Sequence, residues 1–89
     1  MKGEGTMAVT REELARWFGE GKDKGATHMI IVCDTFDYED FPVYVLPNEG
    51  VRKKAEEEKA KPMQKVMEVY SLSLPMESQL EERRAFHYD

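Results

Sequence analysis

Residues 27–47 read THMIIVCDTFDYEDFPVYVLP, and this stretch decides the fold of the chain. Two apolar runs, 29–33 and 41–46, enclose a short acidic segment. Val, Ile, Phe and Tyr favour the pleated, half-buried surface of a sheet, so the runs predict two strands joined by a loop. We therefore expect a β-hairpin, with its strands at about 27–35 and about 41–46.

The two strands differ in character. The first is apolar on both faces, which is typical of a central strand that is covered on two sides. The second contains Pro42. Because proline cannot donate a backbone hydrogen bond, we expect this strand at the edge of the sheet, or Pro42 among its first residues.

A helix precedes the hairpin. Thr10 and Glu13 have the spacing of a capping box, in which each side chain accepts from the other residue's backbone N–H. Leu14, Trp17 and Phe18 then form an apolar stripe at helical spacing. This pattern predicts a helix at about 11–23.

Three further elements follow the hairpin. The charged run 51–61 predicts a helix that ends before Pro62. Residues 63–72 alternate and predict a third strand, with Val66, Glu68, Tyr70 and Leu72 on one face. Pro75 favours the first position of a last helix, at about 75–86, with Leu80 and Phe86 as its anchors.

The predicted fold class is α+β, a single small domain of order α-β-β-α-β-α. Placing strand 1 between the other two gives a three-stranded sheet of order 2-1-3 with helices packed on it and a right-handed crossover. We expect a flexible leader over residues 1–9 and the domain over 10–89. A sheet this narrow has open edges, through which strand 2 or strand 3 could pair with a second copy to form a homo-oligomer.

Composition narrows the function classes. The chain has 89 residues, a net charge of −5 and a single cysteine, Cys33. The acidic balance disfavours nucleic acid, whose phosphates demand many cations. One cysteine forms neither an intramolecular disulfide nor a cysteine zinc cluster, which fits a reducing cytoplasm. Since no run approaches the length of a membrane span or a signal peptide, no membrane partner is expected. No cofactor is expected either.

The acidic segment is the first candidate site. Residues 27–50 carry five acids and no Lys or Arg, and four of the acids are Asp34, Asp37, Glu39 and Asp40. Their spacing does not match a calcium loop, so no metal is predicted. Solvated turn chemistry is the plain alternative. Tyr38 and Phe41 flank the acids, and aromatic residues beside charge are typical of protein contacts. The predicted partner-binding residues are Asp37, Tyr38, Glu39 and Asp40.

The second candidate site is basic. Arg52, Lys53 and Lys54 open the second helix, where free backbone N–H groups attract anions. These residues are the predicted anion-binding set, and a solvated charged face is the alternative. A phosphate-processing enzyme would also need an acid–base pair, for which His28, His87 and Asp34 are the candidates. No catalytic residue is assigned, because no nucleophile–base pair is evident in the sequence.

Three strings carry a resemblance: THMIIVCDTFDYEDFPVYV, MQKVMEVYSLSLPMESQL and the ending RAFHYD. They resemble a group of short uncharacterised proteins from bacterial and phage genomes, over residues 10–88. The resemblance implies a small, stand-alone cytosolic accessory protein and assigns no role to any residue. The leading hypothesis is a non-enzymatic protein-binding module that uses the acidic hairpin loop. The alternative is a small binder or hydrolase of anionic ligands such as nucleotides.

Overall fold

The computed structural model describes residues 10–82 and 85–88. The whole predicted leader, residues 1–9, and positions 83, 84 and 89 of the predicted domain lie outside this range. The elements are α1 (Arg11–Asp23), β1 (His28–Asp34), β2 (Glu39–Val45), α2 (Val51–Ala60), β3 (Gln64–Ser71) and α3 (Met76–Leu80). Their order confirms the predicted α+β fold. None of the described helices combines the length and the apolar character that crossing a bilayer requires.

The sheet has the predicted order β2-β1-β3. β1 pairs antiparallel with both neighbours, so β2 and β3 run parallel to each other. Four consecutive residues of β1 are fully buried: Met29, Ile30, Ile31 and Val32. Their alternation sends Met29 and Ile31 into one core and Ile30 and Val32 into another, as expected for a strand covered on both faces.

The helices divide between the two faces of the sheet. The first core, called here the α1 core, holds Leu14 and Phe18 of α1 together with Tyr70 and Leu72. The second, the α2 core, packs Ala55 of α2 against its side of the sheet. The capping box of α1 is present, since Glu13 N–H donates to Thr10 Oγ1 at 3.0 Å.

Gly21 allows α1 to lie close to the sheet. A Cβ placed on this buried glycine would lie 2.7 Å from Leu72 Cδ1 and 2.8 Å from Tyr44 Cε1. Such distances are shorter than van der Waals contact, so any side chain at position 21 would push α1 away. The Tyr44 hydroxyl also donates to the Trp17 carbonyl at 2.8 Å, which ties β2 to the same helix.

Two details of β3 and α3 differ from the sequence-based expectation. The register of β3 on β1 shifts between Ile31, which faces Glu68, and Val32, which faces Val66. This β-bulge moves Val66 into the α2 core, whereas Tyr70 lies in the α1 core. The predicted alternation, with both on one face, is therefore wrong, because a bulge adds one residue and breaks the period of two.

The last predicted helix is also too long. α3 ends at Leu80 rather than at position 86, and residues 83–84 of the predicted span lie outside the described part. Ala85–Tyr88, called here the C-terminal segment, is extended and bridges Val69 in parallel through Phe86. Phe86 is 42% exposed and is not the anchor that the helical spacing predicted. Hydrogen bonding to the outer edge of β3 outweighs local helix propensity here.

The outer edge of β3 is covered by the chain itself. Val69 N–H donates to the Ala85 carbonyl at 2.8 Å, and the Val69 carbonyl accepts from His87 N–H at 2.9 Å. Ser71 is paired in the same way by a side chain: its N–H donates to Gln79 Oε1 and its carbonyl accepts from Gln79 Nε2, both at 2.8 Å. The predicted open edge is therefore occupied between Val69 and Ser71.

The direction of these hydrogen bonds also shows which way the backbone of Pro42 faces in β2. Val69 and Ser71 point their backbone groups away from β1, so the residues of β1 that face β3 are Met29 and Ile31. The backbone of Ile31 is thus turned away from β2, and its partner there is Pro42. Pro42 consequently faces outward at the free edge of β2, where its missing N–H costs the sheet nothing.

Candidate functional site

The candidate site is the end of the sheet where β1 stops, β2 begins and β3 begins. A four-residue turn, 35–38, joins β1 to β2 there. The Thr35 N–H donates to the Met63 carbonyl at 2.9 Å, which ties this turn to the loop before β3. We call this end of the molecule the hairpin end.

Asp34 organises the turn. Its Oδ1 accepts from the backbone N–H of Phe36 at 2.8 Å and of Asp37 at 3.4 Å. The Asp34 carbonyl accepts from Tyr38 N–H at 2.6 Å. This is the local aspartate-to-backbone bonding that favours aspartate in turns. One of the four predicted acids thus has a structural role.

Tyr38 has an unusual backbone conformation. Its φ is 58°, in the left-handed region that glycine and asparagine occupy far more readily. The ring does not compensate by burial, since it is 54% exposed. A tyrosine in this position therefore costs stability and presents its ring to solvent.

Large apolar side chains gather around the turn. Phe36 is 71% exposed and Met63 is 57% exposed, and Tyr38 and Phe41 are exposed beside them. Three of these four side chains come from the hairpin, and Met63 comes from the loop that Thr35 contacts. Tyr38 and Phe41 stand out in the sequence beside the acids, whereas Phe36 and Met63 were not predicted to belong to this site. Phe36 was detectable as an aromatic residue inside a polar turn, whereas the position of Met63 depends on the tertiary fold.

The acids share this end with the apolar side chains. Asp37 and Glu39 are exposed, and Asp34 and Asp40 are partly buried. Glu39 faces Asp34 across the hairpin, and Asp40 faces Cys33. Glu39 and Asp40 belong to β2, which begins two residues earlier than predicted. The predicted partner-binding residues therefore lie at the same end of the sheet, with Glu39 and Asp40 on opposite faces because they are neighbours in β2.

The surroundings of Cys33 disfavour its thiolate form. Burial raises its pKa, and a hydrogen bond to Asp40 with the negative charges of Asp40 and Asp34 raises it further, against a smaller opposing effect of Lys65. A thiol with a raised pKa is protonated at neutral pH and is a poor nucleophile. Within residues 10–82 and 85–88, no three His, Cys, Asp or Glu side chains are grouped to hold a metal ion.

The candidate acid–base residues are not brought together. His28 begins β1 and Asp34 ends it, so the two lie at opposite ends of a seven-residue strand. His28 is buried, with Nδ1 2.9 Å from Thr27 Oγ1. His87 Nε2 lies 2.7 Å from Glu82 Oε2. The strand thus separates His28 from Asp34, and Glu82 is the carboxylate beside His87, so an acid–base role for His28, His87 and Asp34 stays a prediction.

The predicted anion-binding residues open α2, and two of the three, Arg52 and Lys54, contact other side chains. Lys54 Nζ lies 3.2 Å from Glu49 Oε2, and the Arg52 guanidinium lies 4.5 Å from the centre of the Tyr88 ring. Glu49 also accepts from Leu46 N–H, and this bond, with the bond and charge of Lys54, holds its pKa below the usual value.

A cavity of about 190 Å³ adjoins this region, and two glutamates and two lysines contribute to its lining: Asn48, Glu49, Gly50, Lys53, Lys54 and Glu57. The Gly50 cap makes no side-chain hydrogen bond to the helix. Since acidic and basic groups alternate around the cavity, its charge does not single out an anion. Anion binding by Arg52, Lys53 and Lys54 stays a prediction.

Against family models, curated proteins and solved structures alike, the chain has no match.

Proposed function

We propose that this protein is a non-enzymatic binding module whose hairpin end captures a basic segment of a protein partner that also carries apolar side chains. The observation that carries the proposal is the exposure of Phe36, Tyr38, Phe41 and Met63 at the end of the sheet that holds four carboxylates. Exposed apolar patches on small domains mark contact surfaces, and the excess of these carboxylates over Lys65 at the same end favours a basic partner.

The backbone conformation of Tyr38 also supports a contact surface at the hairpin end. A turn residue with positive φ is usually glycine or asparagine, and tyrosine there gives up stability. Strain of this kind concentrates at functional sites. A ring held outward at the turn, beside Asp37, is suited to contact the apolar stem and the cationic head of an arginine.

The test is a titration of isotope-labelled protein with short synthetic peptides, followed by amide chemical shifts. The probes are an alternating Arg-Leu peptide and an alternating Glu-Leu peptide of equal length. We expect the basic peptide alone to shift amides of residues 34–41 and 63, with affinity that falls as salt rises because exposed charges are screened. Shifts that spread evenly over the domain, or equal binding of both peptides, would contradict the proposal.

A matched pair of variants separates the site from net charge. The triple variant Asp37→Ser, Glu39→Ser, Asp40→Ser removes three charges at the hairpin end. The control variant Glu57→Ser, Glu77→Ser, Glu81→Ser removes three exposed charges elsewhere. We expect only the first to lose the basic peptide. A rise in melting temperature with inorganic phosphate or a nucleotide would instead support the anion-binding prediction at the start of α2.

A further inference from the structure

The outer edge of β3 receives an extended segment of chain. The C-terminal segment lies parallel to β3 and exchanges two backbone hydrogen bonds with Val69, from Val69 N–H to Ala85 O and from His87 N–H to Val69 O. This is the hydrogen-bond pattern by which an added strand docks on a sheet edge. No residue of the hairpin end takes part.

Side chains fix the segment from both layers of the molecule. Ala85 is fully buried in the α1 core, so the site accepts a small side chain there. Tyr88 packs against the α2 core and lies beneath the Arg52 guanidinium. Phe86, between them, is largely exposed. The site thus recognises an extended segment with a small residue and, three positions later, an aromatic ring.

The backbone pairing of the segment is sparse compared with the rest of the sheet. One isolated bridge joins it to β3, whereas seven residue pairs join β1 to each of β2 and β3. Elements with few backbone hydrogen bonds open more readily than core strands. Every contact that the segment makes would be the same if another copy of the chain supplied it.

We propose that the outer edge of β3 is a strand-accepting site, that the chain's own C-terminal segment fills it in cis, and that the C-terminal segment of a second copy fills it in exchange. The docked segment closes the edge in either case. The proposal is independent of the function assigned to the hairpin end.

The first experiment frees the site in the full chain and fills it again in trans. The variant Ala85→Asp places a charge at the buried position and expels the segment. The probe is a synthetic peptide of residues 81–89, EERRAFHYD, and the control peptide carries the same Ala85→Asp change. We expect amide exchange at Val69 to accelerate by on the order of tenfold in the variant and to slow again only with the wild-type peptide.

The affinity of the wild-type chain for the peptide is compared with that of the Ala85→Asp variant. The wild-type chain, whose edge is filled, should bind the peptide at least about tenfold more weakly than the variant, because a competing intramolecular segment reduces the apparent affinity. Equal binding by the two chains, or a folded variant whose Val69 amide stays protected, would overturn the proposal. If Ala85→Asp does not fold, His87→Pro removes the second hydrogen bond without burying a charge, and the same outcomes apply.

Exchange between copies is measured by sedimentation of the wild-type chain. We expect a dimer fraction that grows with protein concentration and disappears in excess wild-type peptide. A chain that is monomeric at every concentration, or a dimer that persists in excess peptide, would show that the segment does not exchange.

Discussion

β2 and β3 both border the sheet, but their edges are protected in different ways. Between Val69 and Ser71, the edge of β3 is covered by other parts of the chain, through the Gln79 side chain and the C-terminal segment. The edge of β2 is protected from within its own sequence, because Pro42 faces outward and lacks an N–H. Protection of the β3 edge requires residues that are distant in the sequence, whereas protection of the β2 edge requires only one residue.

The covered edge of β3 contributes to the stability of the fold, whereas the edge of β2 contributes to the chemistry of the surface. Covering the β3 edge buries polar groups and makes them depend on particular partners, so loss of a partner is costly. The β2 edge remains in water and continues into the hairpin end, where exposed aromatic rings and carboxylates meet. The molecule therefore has a closed side that holds the fold together and an open side that is available for contact.

The largest effect is expected for Gln79→Ala, which tests the closed side. The substitution leaves the Ser71 N–H and carbonyl buried without their partners and creates a cavity. We expect a loss of about 2–4 kcal/mol in the free energy of unfolding, measured by urea denaturation. The exposed neighbour variant Ser78→Ala serves as control. A loss no larger than that of the control would show that the amide does not complete the edge.

A substitution at Gly21 tests how closely α1 packs on the sheet. A Cβ at this position would meet Tyr44 of β2 and Leu72 just beyond β3. We expect Gly21→Ala to destabilise the fold by about 1–3 kcal/mol through overpacking. The matched control is Gly19→Ala in the same helix, where a Cβ meets nothing within 4 Å. That variant should stabilise the protein by about 0.5–1 kcal/mol. Thermal and urea unfolding of the pair would reveal the opposite signs, and equal signs would contradict the close approach.

The pH dependence of stability tests what the Glu58 carboxylate contributes near the start of β3. Burial would raise the pKa of this carboxyl, but hydrogen bonds from Lys61 at 2.9 Å and Gln64 at 2.9 Å, with the charges of Lys61 and Lys54, outweigh burial and lower it. A pKa lowered by folding stabilises the protein above the unfolded pKa, and this stability is lost as pH falls through the folded pKa. We expect Glu58→Gln to cost about 1–2 kcal/mol at pH 7 and much less near pH 3.

The measurement is urea unfolding across this pH range, beside the exposed control Glu57→Gln. A Glu58→Gln deficit that stays constant down to pH 3 would assign the effect to packing rather than to ionisation.

The smallest change in stability is expected for Pro42→Val, which tests the open side. Because Pro42 makes no inward hydrogen bond, the substitution should alter the free energy of unfolding by no more than about 1 kcal/mol. It restores an outward N–H, so we expect concentration-dependent association through β2, measured by sedimentation. Val43→Thr, which leaves Pro42 in place, is the control. A variant that stays monomeric would show that the proline is not what protects this edge.

Local patterns predicted much of the fold. The capping box located the start of α1, and its predicted span agrees with Arg11–Asp23. The apolar run 29–33 predicted a strand covered on both faces, and Pro42 predicted an edge. These signals are local because capping, strand period and the missing proline N–H each depend on residues within a few positions.

The errors lie where distant residues compete with local preference. Residues 81–86 have a composition compatible with a helix, yet Ala85 and His87 bond to Val69. The bulge at Met67 depends on how β3 fits β1, and no residue near it signals the shift. The addition of Met63 to the hairpin end also depends on which elements become neighbours.

The sequence by itself determined the element types, the central position of β1 and the acidic, aromatic hairpin, because hydrophobic period, capping and turn chemistry act over a few residues. Only the tertiary structure decided which edge is closed, where α3 ends and which side chains share the hairpin end. Buried backbone groups must find hydrogen-bond partners wherever the folded chain supplies them, and for Val69 and Ser71 those partners lie 8 to 18 residues away along the chain.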